Sequence, residues 1–337
     1  MSHYFETIPF ESLDGFQCDL KHLIAPTTTK GPVLLVHGAG VSSNIFNPPS
    51  SNNIIHALAE AGYDVWLENW RGSIHFEPNE WNLDQVAQFD HPAAVRKIVE
   101  RTGSKEIMAI IHCQGSTSFM ISSILGLIPE VKLIISNAVS LHPIVPFNSS
   151  IKLKLLVPLV SRFFRYLDPQ WGLRAPDFKS RLILKVVKAT HWEKDSLVGK
   201  MVSFTYGSGY PALWELDNID DKTKEWIQYE FAHVPLSFFS HIQKCVSNGA
   251  LVRNDKDGED YTEVAPMTSA RFVLFAGKKN KCFLPKSQEN TFEYLNKLQP
   301  GLHKLYLLED YSHLDVFFGK NAHKDVFPKM INELELG

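Results

Sequence analysis

A thiol, an imidazole and a carboxamide stand where three apolar runs of this chain end. Cys113 closes Ile107-Met108-Ala109-Ile110-Ile111-His112 and opens Gln114-Gly115-Ser116-Thr117-Ser118-Phe119-Met120. It therefore falls between a buried strand and a helix. A residue in such an elbow is held in a tight turn above the sheet, open to whatever binds there. A thiol reacts as the thiolate, and a helix N-terminus favours that anion. The chemistry this implies is attack by sulfur on an acyl carbon. The plain alternative is an inert buried thiol, since free cysteine is among the most buried side chains.

His313 lies in Asp310-Tyr311-Ser312-His313-Leu314-Asp315, after the run that ends at Leu308, and is the candidate general base. Position singles it out among 14 histidines; His303, at the start of that run, is read as facing outward. Asn280 follows Arg271-Phe272-Val273-Leu274-Phe275 in the segment Ala276-Gly277-Lys278-Lys279-Asn280. Its carbonyl could accept the imidazole Nδ1–H and orient the ring beside a resting thiolate–imidazolium pair, as in Cys-His-Asn sites. A decayed, non-catalytic site is the rival reading of the same residues.

Two backbone amides complete the site. His37-Gly38-Ala39-Gly40 follows the buried run Val33-Leu34-Leu35-Val36, and its small residues bring the Ala39 N–H toward a developing oxyanion. The Gln114 N–H is the second donor. His37, Gly38, His112 and Trp70 are expected to line the substrate. A dinucleotide fingerprint at Gly38-x-Gly40 is set aside, because Ser43 replaces the third glycine and Asn47-Pro48-Pro49 stops a helix from starting there.

These residues need a scaffold. Strands are predicted at Phe5–Glu11, Phe16–Ile24, Val33–Val36, Asp64–Leu67, Ile107–Ile111, Val131–Ser136, Arg271–Phe275 and Leu302–Leu308. Helical patterns lie between them: Asn53–Ala61, Leu83–Arg101 bent or broken at Pro92, the stretch after Cys113 to Leu127, Phe292–Leu298 and Ala322–Leu334. The alternation means an α/β fold, a doubly wound and mostly parallel sheet with helices on both faces. From 141 to 266 it dissolves into scattered helical segments rich in aromatics. The chain thus divides into a first core part (1–140), a helical cap insertion (141–266) and a second core part (267–337).

Composition narrows the functions. At 337 residues, 44% hydrophobic and 21% charged, the chain suits a globular protein. A net charge of −3 gives no case for nucleic acid. Cys18, Cys113, Cys245 and Cys282 form no metal-ligand spacing, and no organic cofactor is implied. The N-terminus shows no basic and apolar leader, so a cytoplasm with reduced thiols is expected. The polar run 254–260 is a solvated turn; Ala265 stands where a calcium loop needs glutamate. The cap opens with the apolar, basic stretch Ile151–Arg165, which suits an acyl-lined tunnel or contact with an anionic membrane. Pro158 argues instead for a helix packed on the core.

Three blocks, Asp64-Val65-Trp66-Leu67-Glu68-Asn69-Trp70-Arg71-Gly72, Phe89-Asp90-His91-Pro92-Ala93 and His313-Leu314-Asp315, resemble the acid lipase branch of α/β-hydrolases. His112-Cys113-Gln114-Gly115-Ser116-Thr117, Asn280-x-Cys282-Phe283-Leu284-Pro285 and Phe318-Gly319-Lys320-Asn321-Ala322 resemble more closely the hydrolase-like domain fused to bacterial GMC (cholesterol-oxidase-like) oxidoreductases. That resemblance covers essentially the whole chain and implies an α/β-hydrolase fold with an eight-stranded sheet and a cap. It agrees with the roles of Cys113, Asn280 and His313 and suggests a separate flavin oxidase as partner. Two positions depart from the usual hydrolase pattern: Asn280 where Asp is usual, and Ile111 where the elbow has its first glycine. The expected activity is hydrolysis of an apolar ester or thioester through an acyl-cysteine. Acyl transfer from a thioester donor and non-catalytic binding are the alternatives.

Overall fold

The computed structural model describes residues 4–25, 28–50, 52–191 and 196–337. Eight strands form one sheet: β1 (Phe5–Glu11), β2 (Gln17–Leu23), β3 (Pro32–Val36), β4 (Asp64–Asn69), β5 (Ile107–His112), β6 (Val131–Asn137), β7 (Arg271–Gly277) and β8 (Lys304–Leu308). Their order is β1-β2-β4-β3-β5-β6-β7-β8. β2 runs antiparallel to β1 and β4, and the pairs from β4 to β8 are parallel. All five residues of β3 are buried, as befits a strand covered on both faces. Chain crossings leave β3 and β5 in opposite directions, and ligands of open α/β sheets collect beyond the strand ends at such a point.

The helices that matter here are α1 (Ile54–Glu60), α2 (His91–Thr102), α3 (Cys113–Ile124), α4 (Phe178–Thr190), α5 (Leu197–Tyr206), α6 (Leu236–Asn248) and α7 (Lys286–Leu298). The terminal helical pattern divides into Ala322–Asp325 and Phe327–Glu335, with Pro328 early in the second helix. α7 begins at Lys286, earlier than its apolar pattern alone suggests.

Pro92, read as bending or breaking its helix, and Pro158, read as limiting a long amphipathic one, both follow π turns. A π-helical turn, Val86–Asp90, leads directly into α2 with Pro92 near its start. A second π turn, Lys152–Leu156, joins Phe147–Ile151 to Val157–Val160 with Pro158 near the start of that last piece. A widened turn absorbs the clash and missing N–H that proline brings to a regular helix. The helical stretch 147–160 therefore continues, with Phe147 79% exposed and Leu155 67%.

Between β6 and β7 the chain leaves the sheet. The short strands Tyr166–Leu167 and Val234–Pro235 pair there, and α4, α5 and α6 belong to the same excursion of the chain. Among the described residues no helix is long and apolar enough to cross a membrane. A buried ion pair sits just beyond the C-terminal end of β4: Arg71 donates to both Asp90 oxygens (2.6–3.0 Å) and to Asp14 (2.6 Å). Removing one partner would strand the other charge in the interior.

Candidate active site

The nucleophile position is built by strain and close packing. Cys113 is the first residue after β5, with φ +57°, a left-handed conformation that L residues adopt only where surroundings impose it. Ile111, in place of the usual elbow glycine, does not displace this turn; it is fully buried in β5, and its register partner on β6 is the small Ser136. Gly115 allows α3 to leave at once. A Cβ there would lie 2.2 Å from the His37 carbonyl oxygen, so only glycine lets the helix start abut the loop after β3. Gly277 does the same on the other side: its Cβ would lie 2.1 Å from the Ser312 carbonyl, and the two loops bearing Asn280 and His313 meet there.

The site opens beyond the C-terminal ends of β3, β5, β7 and β8. Ring nitrogens of His112 and His313 and the Cys113 sulfur all lie within 4.8 Å of one another. The Gln114 and Ala39 backbone N–H groups both bond the sulfur and lower its pKa, but loss of water outweighs them and pushes the thiol up to about 12. Burial likewise lowers His313 to about 3 and His112 well below its usual range. Both directions favour a neutral thiol beside a neutral imidazole over a thiolate–imidazolium pair.

Asn280 explains part of this. Its Oδ1 accepts the Cys282 N–H (2.9 Å) and the Phe283 N–H (3.2 Å). The carboxamide nitrogen is thereby turned to His313 Nδ1 at 3.1 Å. The expected polarity is reversed: Asn280 donates to Nδ1, and the neutral ring carries its own proton on Nε2. His112 is held alike, because Asn137 Nδ2 donates to its Nδ1 (2.9 Å) and to the His313 carbonyl (3.1 Å). Asp315 anchors the His313 loop: it accepts the Ser312 N–H (2.7 Å) and the Glu215 N–H (3.2 Å), tying that loop to the cap.

Two chambers meet at Cys113. The smaller, about 260 Å³, is lined by Gly38, Ala39, His112, Tyr206, Cys282 and His313 among others. The larger, about 880 Å³ including its open mouth, runs into the cap along Leu153, Leu156, Val160, Ile183, Phe204 and Phe238. Gly38 and His112 thus stand in the position expected of substrate-lining residues, whereas Trp70 and His37 line neither chamber. Trp70 Nε1 donates to the His37 carbonyl (3.0 Å) and stacks on its ring at 5.1 Å, so the two form a wall behind the Ala39 loop. Their apolar packing replaces the substrate contact read from the sequence. His303 is a second correction: it is buried against Phe272 and accepts that residue's N–H, far from an outward-facing role.

Residues to which the sequence assigns no catalytic role complete the site. Tyr206, Cys282 and Lys152 come from the cap and the loop after β7, and Tyr206 Oη is buried with no hydrogen-bond partner among the described residues. Only the folded cap brings them together, and no spacing announces it. A further constellation has the right atoms in the wrong place. His91 bonds Ser118 Oγ at 2.7 Å through Nε2 and Glu68 at 2.9 Å through Nδ1. All three side chains are fully buried beneath α3 and border neither chamber, so this Ser-His-Glu relay braces the helix.

A model of the alpha/beta hydrolase fold matches residues 31–320. The chain belongs to that family. Lipase member K of Homo sapiens is 25% identical to this hydrolase-fold chain over 339 residues, covering 92% of it and 80% of the lipase. Sterol esterase 2 of Saccharomyces cerevisiae is 22% identical, covering 98% and 69%. Among solved structures, a soluble variant of the Saccharomyces cerevisiae monoglyceride lipase with a substrate analog superposes with a TM-score of 0.61 at 16% identity, over 98% of this chain and 96% of that one. The lipase resemblance read from the sequence agrees with these relatives, and the eight-stranded hydrolase sheet is the fold observed.

Proposed function

We propose that this hydrolase cleaves apolar acyl esters, thioesters included, through an acyl-cysteine formed on Cys113. One observation carries the reading: a strained elbow thiol, bonded by the Ala39 and Gln114 amides, at the junction of an apolar tunnel and a chamber containing His313. The two amides that bond the sulfur at rest are placed to receive the carbonyl oxygen as it gains charge. The tunnel takes the acyl chain, with Phe238, Phe239 and Ile242 of α6 on one wall. Cys113 adds to the carbonyl and its proton passes to His313, which returns one to the leaving oxygen or sulfur. Water or another acceptor then releases the acyl group.

His313 can take the thiol proton at Nε2 only in the Nδ1–H tautomer. Asn280 must then turn its carboxamide to present oxygen, releasing the Cys282 and Phe283 N–H groups. This demand favours the second reading, a hydrolase-fold protein that binds apolar acyl ligands without turning them over. Intact-mass spectrometry after mixing with p-nitrophenyl octanoate separates the two. An acyl adduct on Cys113, absent in Cys113→Ala, supports the enzyme; saturable binding without adduct or nitrophenol release leaves only the binding protein. Product analysis with a thioester donor then separates hydrolysis from acyl transfer.

The cap adds a site of action. Leu155 and Leu159 are exposed on the same helical stretch whose other side lines the tunnel, and Phe163 and Phe178 (74% exposed) stand nearby in sequence. With Lys152 turned inward, the other charged residues from 147 to 178 are Lys154, Arg162, Arg165 and Arg174 against Asp168 and Asp177, in a chain of net charge −3. An apolar face with a basic collar suits an anionic lipid surface from which an apolar ester would enter the tunnel. On the sequence blocks alone, a separate flavin oxidase is read as a partner.

A further inference from the structure

Among the described residues a single basic side chain lines the apolar tunnel. Lys152 lines it together with Leu153, Phe204, Cys282 and Cys113. Its Nζ donates to the Phe204 carbonyl (2.9 Å) and to the Gly207 carbonyl, and lies 5.6 Å from the Phe204 ring centroid. Those carbonyls end α5, whose partial negative pole offsets part of the charge. Among the described residues no carboxylate pairs with Lys152, although buried cations are ordinarily paired. An ammonium has three protons, and two are spoken for. Helix capping accounts for the two carbonyl bonds, but it does not require a full charge on a wall that is mostly aliphatic and aromatic and whose other polar members, Ser149, Thr205, Tyr206 and the two thiols, are neutral.

We propose that Lys152 anchors an anionic end group on the substrate, a carboxylate carried on the acyl chain, so that the tunnel selects esters of acids bearing a second carboxyl group. This rests on the ester-hydrolase reading above and adds the substrate class. The reacting carbonyl sits at Cys113 and the second carboxylate meets Nζ, so one chain length should fit best. The pairing has its own pH signature. Burial lowers Lys152 to about 8, so the ammonium is present at neutral pH and lost above it; a bound carboxylate would hold the proton longer.

The probes are p-nitrophenyl half-esters of α,ω-dicarboxylic acids of increasing length, each with its matched p-nitrophenyl methyl diester. The readout is the ratio of kcat/KM, half-ester over diester, which cancels any general loss of activity in a variant. At pH 7 the wild type should show a ratio of about tenfold or more at one length, the usual scale for a hydrogen bond to a charged group. The ratio should fall as pH rises past about 8, because kcat/KM follows the ionisation of the free enzyme. Lys152→Met should bring it below one and remove its pH dependence, and Lys152→Arg should keep it high at pH 9. A wild-type ratio that never exceeds one, or one that survives Lys152→Met, overturns the proposal. If no ester is turned over, the hydrolase reading fails by itself, and calorimetry with monomethyl suberate tests the anchor. Tighter binding to wild type than to Lys152→Met supports it, and equal binding overturns it.

Discussion

Replacing Asn280 by aspartate should make this enzyme faster. In the structure the Asn280 oxygen is committed to the Cys282 and Phe283 N–H groups, and its nitrogen donates to His313 Nδ1. Turning the carboxamide over to accept Nδ1–H forfeits two hydrogen bonds of about 1 kcal/mol each, so roughly 2 kcal/mol, or about thirtyfold in rate, is lost before sulfur can be deprotonated. An amide in the place of a triad carboxylate slows serine enzymes for the same reason, by holding the wrong tautomer. Aspartate removes the conflict, since one oxygen keeps the two N–H groups and the other accepts Nδ1–H. A carboxylate at that distance also raises the imidazole pKa by about one to three units from its depressed value near 3. Stopped-flow release of p-nitrophenol should show the acylation burst accelerated about ten- to thirtyfold in Asn280→Asp and slowed in Asn280→Ala. Iodoacetamide labelling of Cys113 should extend to lower pH in the aspartate variant. An Asn280→Asp burst no faster than wild type would refute the tautomer reasoning.

Other outcomes follow from the same geometry. Gly115→Ala should cost about 1–3 kcal/mol by overpacking, because its Cβ would lie 2.2 Å from the His37 carbonyl; an unshifted melting temperature would mean the helix start moves freely. His37 and His313 are buried and lowered to about 3, so each contributes stability that is present above the unfolded pKa of about 6.5 and lost as pH falls, about 2 kcal/mol apiece at pH 5. Asp315, raised to about 6, works in the opposite sense, since stability falls as pH rises from about 4 to 6. Urea titrations at pH 7 and 5 should show a net acid loss, reduced in His37→Gln. The cap face should co-sediment with phosphatidylglycerol vesicles more than with phosphatidylcholine vesicles, and Leu155→Ser with Leu159→Ser should abolish the difference; equal binding to both lipids would remove the basic collar from the account.

Much of the scaffold was legible because parallel strands buried on both faces read as short apolar runs. β1 was read with its observed bounds, and β3, β5 and β7 were located to within a residue or two. Cys113, His313, Asn280, Ala39 and Gln114 could be nominated because each follows a strand end. What the nominations could not carry was direction. The polarity of Asn280 depends on two backbone N–H groups after it, and the state of the thiol depends on how much water the cap excludes. The chain passes Pro158 with a π turn, which a rule written for a regular helix does not anticipate. Tyr206 and Lys152 come from the cap, where no periodic pattern ties a residue to the reacting atoms.

The Glu68–His91–Ser118 relay has a practical meaning for finding this protein in a cell extract. Its hydroxyl is sealed inside the domain, and the reacting atom proposed for the open site is sulfur. Fluorophosphonate probes, which report exposed activated serines, would pass it over, and a proteomic survey built on them would count the chain as inert. Acyl-thioester or other soft electrophilic probes sized for a lipid chain are the reagents that should register it.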